Sequence, residues 1–307
     1  MPRCSAIIVT YNSAHCITQC LEALTSQDCE IVVVDNASPD DTVRKVESFA
    51  VRKRVELLRI SRNLGFAGGV NHGIRAASGE VLLLLNPDAV AEPGAVQALV
   101  DCITEQSASA AGGALLQING EPDRGFAFRR LPSLSSLLCE VLLINQFWPG
   151  NPVNRRYRCL DADYSRVQEV EQPAGACLAI KRPAWDALGG MDAQFFPVWF
   201  EDVDFCKRLI DSGHKIVYCP TARFRHSGAH SVGSLSFTEK QVFWYRNMLR
   251  YAGKHFSFGK VWILRIAIVA GILFRLAAVL AERGPEHVSA REASETYRKV
   301  IRLALSL

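Results

Sequence analysis

Four clusters of polar side chains stand directly after short apolar runs in the first hundred residues of this 307-residue chain. Open α/β sheets bind ligands at the carboxyl ends of their strands, so these clusters are candidates for a binding site. A single acid or amide there usually caps the next helix, but four clusters on one sheet edge are harder to explain by capping. The clusters are Thr10-Tyr11-Asn12, Asp35-Asn36, Arg62-Asn63-Leu64-Gly65-Phe66 and Asn86-Pro87-Asp88.

A further group of acids, Glu201-Asp202-Val203-Asp204, begins a predicted helix. Acids in a first helical turn stabilise the helix by about 0.3–1 kcal/mol each, which is one explanation of the group. A carboxylate can also act as a general base and accelerate a reaction by roughly 10²–10⁴-fold. Because successive helical residues are about 100° apart, Glu201 and Asp202 can face different partners.

The apolar runs predict strands, and the segments between them predict helices. Two of the runs are continuously apolar, as parallel strands covered on both faces should be. Ser38-Pro39-Asp40-Asp41 has the composition of a helix start, and Ala95–Glu105 is a second predicted helix. The alternation predicts an α/β fold, a mostly parallel sheet with helices on both faces. The predicted strands are Cys4–Thr10, Ile31–Asp35, Val55–Ser61 and Val81–Asn86.

After about residue 110 the alternation becomes less regular. Ala176–Ile180 and Lys215–Cys219 predict two more strands, and Val203–Asp211 predicts a helix. Leu131–Trp148 looks like an inserted helix, and Asn151–Glu171 looks like a polar loop region.

Two common nucleotide-binding motifs are absent from the sequence. No G-x-G-x-x-G occurs, so a Rossmann dinucleotide site has no support. Gly68 and Gly73 have the P-loop spacing, but Ile74-Arg75 follows where the phosphate-binding Lys-Ser/Thr is required. The glycines at 65, 68, 69 and 73 more plausibly let a helix approach the sheet or a ligand closely.

The ordered set of motifs resembles the GT-A fold glycosyltransferases of family 2, especially the rhamnosyltransferase-like branch that builds bacterial cell-surface glycans. The resemblance covers roughly residues 4–255 and implies a Rossmann-like nucleotide-diphospho-sugar transferase. The motifs that carry it are Ile8-Val9-Thr10-Tyr11-Asn12, Val33-Val34-Asp35-Asn36-Ala37-Ser38, Asn63-Leu64-Gly65-Phe66-Ala67-Gly68-Gly69, Leu85-Asn86-Pro87-Asp88-Ala89 and Phe200-Glu201-Asp202-Val203-Asp204.

The resemblance implies a pocket for a sugar nucleotide. In this family the acid that ends the second strand, here Asp35, hydrogen-bonds the nucleobase of the donor. Amide and backbone groups suit a base edge because they offer both donors and acceptors. The other residues implied in nucleotide-sugar binding are Thr10, Tyr11, Asn12, Asn36, Arg62, Asn63, Gly65, Phe66, Asn71 and Asn86.

Asn86-Pro87-Asp88 occupies the place of the family's Asp-x-Asp motif and implies a Mg²⁺ or Mn²⁺ site. Hard divalent cations take oxygen ligands, including those of the donor's phosphates. The amide at position 86 departs from the pattern and leaves Asp88 as the one charged ligand. His226 matches a downstream histidine that can add a ligand, although a hydrogen-bonded structural role is equally open.

The resemblance also assigns Asp202 as the base of an inverting transfer. Asp202 would take the proton of the acceptor hydroxyl while the pocket holds both reactants in line. Glu201, Trp199 and Asp204 would contact the acceptor, although core packing is the commoner role of a tryptophan. The implied donor is dTDP-rhamnose or a UDP-sugar, and the implied acceptor is a glycan or a polyprenyl-linked sugar.

Two other classes of function remain open. One is a catalytically inactive, membrane-associated homologue that binds a nucleotide sugar, although both Asp88 and Asp202 are present. The other is a nucleotidyltransferase, which would be expected to carry a basic Gly-rich loop where Thr10-Tyr11-Asn12-Ser13 stands. Processive synthases of this fold carry Gln-x-x-Arg-Trp, whereas Gln241-Val242-Phe243-Trp244 lacks the arginine, which favours a single addition.

The charge of the chain is divided unevenly. The formal net charge of +4 is too small to suggest nucleic-acid binding, but residues 231–307 hold 12 basic and 5 acidic side chains. Within them, Val261–Ala281 is apolar except for Arg265, Gly271 and Arg275. An arginine at the bilayer centre costs about 2.5–3.5 kcal/mol, so we expect an in-plane interfacial helix rather than a span. A helix packed on the protein itself is the alternative.

The sequence predicts two regions and one compartment. We expect a catalytic domain at residues 1–232, with an inserted helix and loop at 131–171, and a basic, apolar helical tail at 233–307. The ten cysteines form no C-x-x-C and no disulfide framework, which is typical of a reducing compartment. The predicted location is cytoplasmic, on the inner face of the cell membrane, where the tail meets an anionic lipid surface.

Overall fold

The computed structural model describes residues 3–50, 55–228, 233, 235–281 and 288–306. In these residues, strands and helices alternate through the first part of the chain, as the sequence predicts. The strands are β1 Cys4–Thr10, β2 Glu30–Asp35, β3 Val55–Arg59, β4 Val81–Leu85, β5 Ala89–Ala91, β6 Ala110–Leu116, β7 Phe128–Arg129, β8 Gln168–Glu169, β9 Gln172–Pro173, β10 Cys177–Lys181 and β11 Ile216–His226. The helices are α1 Ile17–Leu24, α2 Thr42–Ala50, α3 Gly65–Ala76, α4 Ala95–Glu105, α5 Leu134–Val141, α6 Ile144–Phe147, α7 Pro152–Tyr157, α8 Arg182–Leu188, α9 Glu201–Asp211, α10 Phe237–His255, α11 Phe258–Leu280 and α12 Ala290–Leu305.

The main sheet has the strand order β3-β2-β1-β4-β10-β6-β11-β5, and β8 pairs with β11 beside this path. Strands β3, β2, β1 and β4 are mutually parallel, so their carboxyl ends share one edge. Strand β10 runs antiparallel to both β4 and β6, while β11 is parallel to β6. The start of β10 and the end of β11 therefore lie at the same edge as the end of β4.

The central strands are buried on both faces, which explains their uninterrupted apolar sequences. Every residue of β1, β4 and β6 is buried, and the side chains of β2 from Ile31 onward are buried too. Each large apolar side chain removed from water contributes about 1.5–3 kcal/mol. This core holds the strand ends in fixed positions.

Glycines bring helix α3 into contact with the sheet. A Cβ atom at Gly69 would lie 2.6 Å from a methyl group of Val9, and one at Gly73 would lie 2.7 Å from Val34. These distances are shorter than van der Waals contact, so larger residues would push the helix away from β1 and β2. The interpretation of these two glycines as close-approach residues is confirmed. Gly68 differs, because its nearest neighbour is Leu64, the residue that directly precedes α3, rather than the sheet.

The predicted elements match the observed ones with four differences. The segment Asn151–Glu171, predicted as a polar loop region, contains helix α7 and strand β8. Strand β11 continues to His226 rather than ending at Cys219, because a bulge between Cys219 and Arg223 lets the pairing with β6 resume. The predicted inserted helix is two helices, α5 and α6, separated at Leu143, whose φ is 65°. Helix α2 begins at Thr42 rather than near Ser38.

The chain folds into two compact units, each with most of its contacts inside itself. The first unit contains the sheet, helices α1–α4, α8 and α9, and spans Met1–Leu131, Arg158–Pro197 and Glu201–Ser234. The second unit contains α5–α7 and α10–α12 and spans Pro132–Tyr157, Val198–Phe200 and Leu235–Leu307.

Helix α11 in the second unit has two different faces. Leu264, Ile268 and Ile272 are fully buried on one face. The opposite face carries exposed apolar side chains that fall within about half of the helix circumference. They are Phe258, Trp262, Ile263, Ile266, Leu273 and Phe274.

Both arginines of α11 bind backbone carbonyls within the second unit. Arg275 donates to the Val141 carbonyl at 2.7 Å, and Arg265 donates to the Ala304 carbonyl at 2.7 Å. A Cβ atom at Gly271 would lie 2.0 Å from the Val141 oxygen, so only glycine lets the end of α5 come this close. The guanidinium groups of both arginines therefore have hydrogen-bond partners on the packed side of the helix.

Candidate active site

Thr10 and Asp35 form the first part of the site, at the carboxyl ends of β1 and β2. The two residues are opposite each other in the parallel ladder, and the Thr10 hydroxyl donates to Asp35 Oδ1 at 3.1 Å. The Ser38 backbone N–H donates to Asp35 Oδ2, also at 3.1 Å. Asp35 is only 2% exposed, so its carboxylate is held in one orientation at the sheet edge.

Asn12 and Ser38 lie beside this pair. The Asn12 N–H donates to the Ser38 hydroxyl at 3.1 Å, and Asn12 has a positive φ of 56°. Asn12 Oδ1 is buried and has no hydrogen-bond partner in the described residues. An unpaired buried acceptor is costly, so a ligand donor there would remove a penalty of about 1–3 kcal/mol. Tyr11 is half-buried next to it.

The prediction of Ser38 as a helix cap is wrong. Helix α2 begins at Thr42, and the Ser38 hydroxyl accepts the Asn12 N–H instead.

Asn36 holds the Asn63 loop against the end of β2. Its side-chain amide donates to the Gly65 carbonyl at 3.0 Å, and its Oδ1 accepts the Leu64 N–H at 2.8 Å. Asn63 Oδ1 accepts the Gly65 N–H at 2.8 Å. The Phe66 N–H donates to the Pro197 carbonyl at 2.8 Å. These amides orient the loop that precedes α3, and direct contact with a nucleotide stays a prediction.

Arg62 and Asn71 are placed differently from each other. Arg62 is exposed at the start of the Asn63 loop. Asn71 is in α3, where its amide donates to the Met191 carbonyl at 2.7 Å and its Oδ1 accepts the Met191 N–H at 3.0 Å. Both polar groups of Asn71 are thus used to fasten a loop to α3. Its predicted contact with the donor has no support from this geometry and stays a prediction.

Asp88 and His226 meet because their strands are paired. His226 ends β11 and stands opposite Ala89 of β5, so it is next to Asp88. His226 Nε2 lies 3.4 Å from Asp88 Oδ1, and both side chains are 4% exposed. His226 Nε2 is buried and makes no hydrogen bond in the described residues. An imidazole nitrogen and a carboxylate oxygen that face each other at this distance can both ligate a cation.

Asp202 occupies the first turn of α9, at the same sheet edge. Its Oδ2 accepts the Gly175 N–H at 3.0 Å and the Gln172 side-chain amide at 3.3 Å. Burial raises the pKa of the Asp202 carboxyl, and the hydrogen bonds from the Gly175 and Val203 N–H groups oppose that increase. The carboxylate is therefore oriented by the backbone and is a stronger base than a surface aspartate.

A short series of contacts links Asp202 to the Asn86-Pro87-Asp88 segment. Gly175 and Ala176 are consecutive residues just before β10. The Asn86 N–H donates to the Ala176 carbonyl at 3.0 Å, while the Gly175 N–H donates to Asp202. The antiparallel pairing of Cys177 with Leu85 fixes this arrangement. The two acidic centres, more than a hundred positions apart in the chain, are thus at one edge of the first unit.

The two acids beside Asp202 have different environments. Glu201 is 3% exposed, and its Oε2 has no hydrogen-bond partner in the described residues. Burial and the charge of Asp202 raise the pKa of Glu201 well above its ordinary value, which favours the protonated form. Asp204 is fully buried and accepts a hydrogen bond from Arg208 Nε at 2.9 Å. The predicted acceptor contacts of both acids stay predictions, and the ion pair gives Asp204 a structural role.

Trp199 belongs to the second unit, unlike Glu201 and Asp202. It is half-buried and has a φ of 77°, and the next residue, Phe200, has a φ of 71°. Two consecutive residues in the left-handed region mark an irregular turn, which costs free energy and is enriched near functional sites. Its stacking on an acceptor sugar stays a prediction.

Four residues at this edge carried no signal in the sequence. Gln172 and Gly175 hold Asp202, and Phe126 stacks on the His226 ring with centroids 5.3 Å apart and planes 7° apart. Arg129 lies over Phe126, with 5.8 Å between the guanidinium carbon and the ring centroid. They come from β7, β9 and the turns around them, which are too short to show a periodic pattern.

Comparison with known proteins identifies the family of the chain. A family model described as glycosyl transferase family 2 matches residues 5–157. The N-acetylglucosaminyl-diphospho-decaprenol L-rhamnosyltransferase of Mycobacterium tuberculosis is 31% identical over 250 residues, covering 74% of this chain and 76% of that protein.

Two solved structures are similar in fold. A mannosyltransferase from Pyrobaculum calidifontis in complex with GDP-Man and Mn²⁺ has a TM-score of 0.56 and 17% identity, over 99% of this chain and 84% of that one. A structure of S. aureus TarS with UDP-GlcNAc has a TM-score of 0.54 and 16% identity, over 98% of this chain and 90% of that one.

The mostly parallel sheet, its helices and these neighbours define the GT-A fold, as the resemblance implied. The relative that matches most of the chain at 31% identity is a glycosyltransferase, and so is this protein. The chain belongs to family 2 of the glycosyltransferases.

Proposed function

We propose that this glycosyltransferase moves a single sugar from a nucleoside-diphosphate donor to a hydroxyl of a lipid-linked cell-surface glycan precursor, with inversion and with a divalent cation. The observation that carries the proposal is the position of Asp88 and Asp202 at one sheet edge, linked through Ala176 and Gly175. Inversion needs one carboxylate base and no covalent intermediate, in contrast to a retaining glycosidase.

Asp88 and His226 fit a Mg²⁺ or Mn²⁺ ion. No group of three or more His, Cys, Asp or Glu side chains suited to a metal occurs in the part of the chain that the structure describes. Two protein ligands are enough where substrate phosphates complete the coordination, which is the usual arrangement for Mg²⁺. The unpaired Nε2 of buried His226 supports this assignment. When bound, the cation supplies Lewis-acid stabilisation of the phosphate oxygens.

Asp202 acts as the base in the proposed reaction. The acceptor hydroxyl attacks the anomeric carbon, its proton passes to Asp202, and the bond from that carbon to the phosphate oxygen breaks. The N–H of Gly175 and the amide of Gln172 hold the carboxylate in a fixed direction. A fixed base avoids part of the entropy cost of bringing the groups together.

The donor site comprises the groups around Asp35. The carboxylate of Asp35 and the unpaired Oδ1 of Asn12 offer acceptors to the N–H groups of a nucleobase. We propose dTDP-rhamnose as the donor, with UDP-sugars as the alternative, because the Mycobacterium tuberculosis relative is a rhamnosyltransferase. That relative's acceptor is an N-acetylglucosaminyl diphospho-decaprenol, and we propose a polyprenyl-linked acceptor here.

Identification of the products tests the reaction. We expect purified protein with Mn²⁺, dTDP-rhamnose or a UDP-sugar, and a lipid-linked N-acetylglucosamine to release a nucleoside diphosphate and a glycosylated lipid in equal amounts. Ion-pair chromatography measures the nucleotide, and mass spectrometry measures the lipid. Release of pyrophosphate would identify a nucleotidyltransferase instead. Donor binding without any product across the donor panel would identify an inactive homologue.

The tail forms the membrane-contacting part of the proposed enzyme. We keep the division at residue 232, with a catalytic domain before it and a helical tail at 233–307. In the described residues, Phe258–Val279 is the one helix long and apolar enough to cross a bilayer. An in-plane position fits it better, because Arg265 and Arg275 bind carbonyls on its packed face while six large apolar side chains are exposed on the other.

Exposed Lys254 and Lys260 stand near the start of α11. A basic side chain near an anionic leaflet contributes about 1 kcal/mol of binding, which supports peripheral attachment to the cytoplasmic face. Attachment there would bring the enzyme to the leaflet in which the polyprenyl chain of the proposed acceptor is embedded.

Polar substitutions on the exposed face of α11 test membrane attachment. We expect the double variant Ile266→Ser and Phe274→Ser to lose binding to phosphatidylglycerol-containing vesicles by on the order of 100-fold, since each large apolar side chain contributes about 1.5–3 kcal/mol. Both side chains are more than half exposed, so folding should be little affected. Ile118→Ser, at a position 97% exposed in the first unit, is the control. Equal sedimentation of the double variant and the wild-type protein with vesicles would refute the attachment.

A further inference from the structure

Arg129 of β7 is connected by its contacts to both acidic centres of the proposed active site. On one side its guanidinium is over the ring of Phe126, which in turn is stacked on the imidazole of His226. Its Nε donates to the Gly125 carbonyl at 2.6 Å, which fixes the direction of the side chain. The Phe126 ring therefore connects the guanidinium to the imidazole of His226.

On its other side, Arg129 is linked to Asp202. Arg129 is opposite Gln172 in the antiparallel β7–β9 pair, and the Gln172 amide donates to Asp202 Oδ2. The positive charge of Arg129 lowers the pKa of Asp202 and opposes the effect of burial. The same guanidinium thus influences the proposed base and shares the Phe126 ring with His226, one of the proposed metal ligands.

The partners of Arg129 leave most of its hydrogen-bonding groups available. In the described residues its side chain donates a hydrogen bond to the Gly125 carbonyl and lies over the Phe126 ring. It also acts electrostatically on Asp202, but it forms no ion pair among the described residues. The adjacent Arg130 is different, because it forms an exposed ion pair with Glu171 at 3.3 Å. A half-buried guanidinium without a carboxylate partner is suited to an anionic ligand, and its planar array of N–H groups matches a phosphate.

We propose that Arg129 binds the β-phosphate of the nucleoside-diphosphate leaving group and is a further catalytic residue of this enzyme. The inference rests on the proposed function and deepens it. As the bond from the anomeric carbon to the phosphate oxygen breaks, its electron pair stays on that oxygen, and the guanidinium stabilises the added negative charge. The acceptor proton goes to Asp202, so Arg129 transfers no proton. Asn86 stands where the family has an acid. Because its amide is uncharged, it repels the phosphates of the donor less than a carboxylate at that position would.

Nucleotide binding distinguishes this role from a structural one. The probes are dTDP, UDP and GDP with Mn²⁺, together with the monophosphate of the base that the wild-type protein binds most tightly. By calorimetry we expect Arg129→Gln to weaken binding of that diphosphate at least tenfold and binding of the monophosphate less than threefold. The diphosphate affinity of Arg129→Lys should lie between those of Arg129→Gln and the wild type. The diphosphate affinity of Arg130→Gln should match that of the wild type. Equal diphosphate affinity in Arg129→Gln and wild type, or an equal loss for both nucleotides, would overturn the inference.

The pH dependence of turnover provides an independent measurement. The charged or titratable groups around Asp202 are Glu201 and Cys206 on its own helix and Arg129 from β7. Removing the positive charge of Arg129 should raise the pKa of Asp202 further. The acidic limb of the pH profile of kcat/KM should therefore move to higher pH in Arg129→Gln. An unchanged limb together with unchanged kcat/KM would contradict the assignment. Failure of the wild-type protein to release nucleoside diphosphate would instead contradict the proposed function, and the calorimetry would still decide the role of Arg129.

Discussion

Asp202→Asn is expected to lower kcat by about 10²–10⁴-fold while leaving the affinity for the nucleoside diphosphate within threefold of the wild-type value. The amide keeps the shape of the side chain and can still accept the Gly175 N–H, but it cannot take a proton from the acceptor hydroxyl. Initial rates of nucleotide release measure kcat, and calorimetry measures affinity.

The neighbouring acids are the matched controls for this variant. Glu201→Gln should retain most of the turnover, because burial and the charge of Asp202 already favour the neutral form of Glu201. Asp204→Asn should lower the free energy of unfolding rather than kcat, since it breaks a buried ion pair with Arg208. A fully active Asp202→Asn enzyme would transfer the base assignment to Glu201 or Asp204.

The pH profile of the wild-type enzyme offers a second view of the same base. Asp202 must be ionised to accept a proton, so kcat/KM should fall as pH decreases through its pKa. Burial raises the pKa of Asp202, and the acidic limb should therefore lie above the ordinary range of an aspartate. A limb at or below that ordinary range would contradict the raised pKa.

Removal of the metal site has the other large expected effect. We expect Asp88→Ala to weaken Mn²⁺-dependent binding of the nucleoside diphosphate at least tenfold and to reduce turnover by two orders of magnitude or more, because a cation stabilises the charge of the departing diphosphate. Treatment of the wild type with EDTA should cause the same loss, and added Mn²⁺ should restore it. Calorimetry with and without Mn²⁺ measures the binding without relying on activity.

Two further variants define this site more closely. His226→Gln should weaken the Mn²⁺ dependence if Nε2 is a ligand, whereas a purely structural histidine would change stability alone. Asn86→Asp restores the acidic pair of the family motif and should tighten Mn²⁺ binding, which makes it a control with the opposite sign. Full turnover of Asp88→Ala in the presence of EDTA would show that the proposed cation is unnecessary.

Some parts of the site were predictable because they follow from local sequence patterns. The strands before Asp35 and Asn86 are almost entirely apolar, the strand that ends at Thr10 is mostly apolar, and the observed strands end at or beside the predicted positions. The parallel arrangement then brings these polar ends to one edge. The glycines of α3 were also interpretable, since a helix that packs on a sheet needs small residues at the contact.

Other parts depend on pairings between distant segments, which no local pattern specifies. Strand β10 enters the sheet antiparallel between β4 and β6, and only that orientation brings Gly175 to Asp202. The bulge in β11 sets the register that brings His226 next to Asp88. Strand β7 has two residues, so nothing in the sequence distinguished Arg129 from other surface arginines.

The amino-acid sequence alone determined the α/β architecture and the family, and it supplied the two carboxylates as candidates, because hydrophobic periodicity and short motifs are local properties. The tertiary structure alone decided which groups surround those carboxylates and that the arginine-bearing face of α11 is packed while the opposite face is exposed. Those features result from strand order, register and helix packing, where the free energy comes from contacts between residues far apart in the chain.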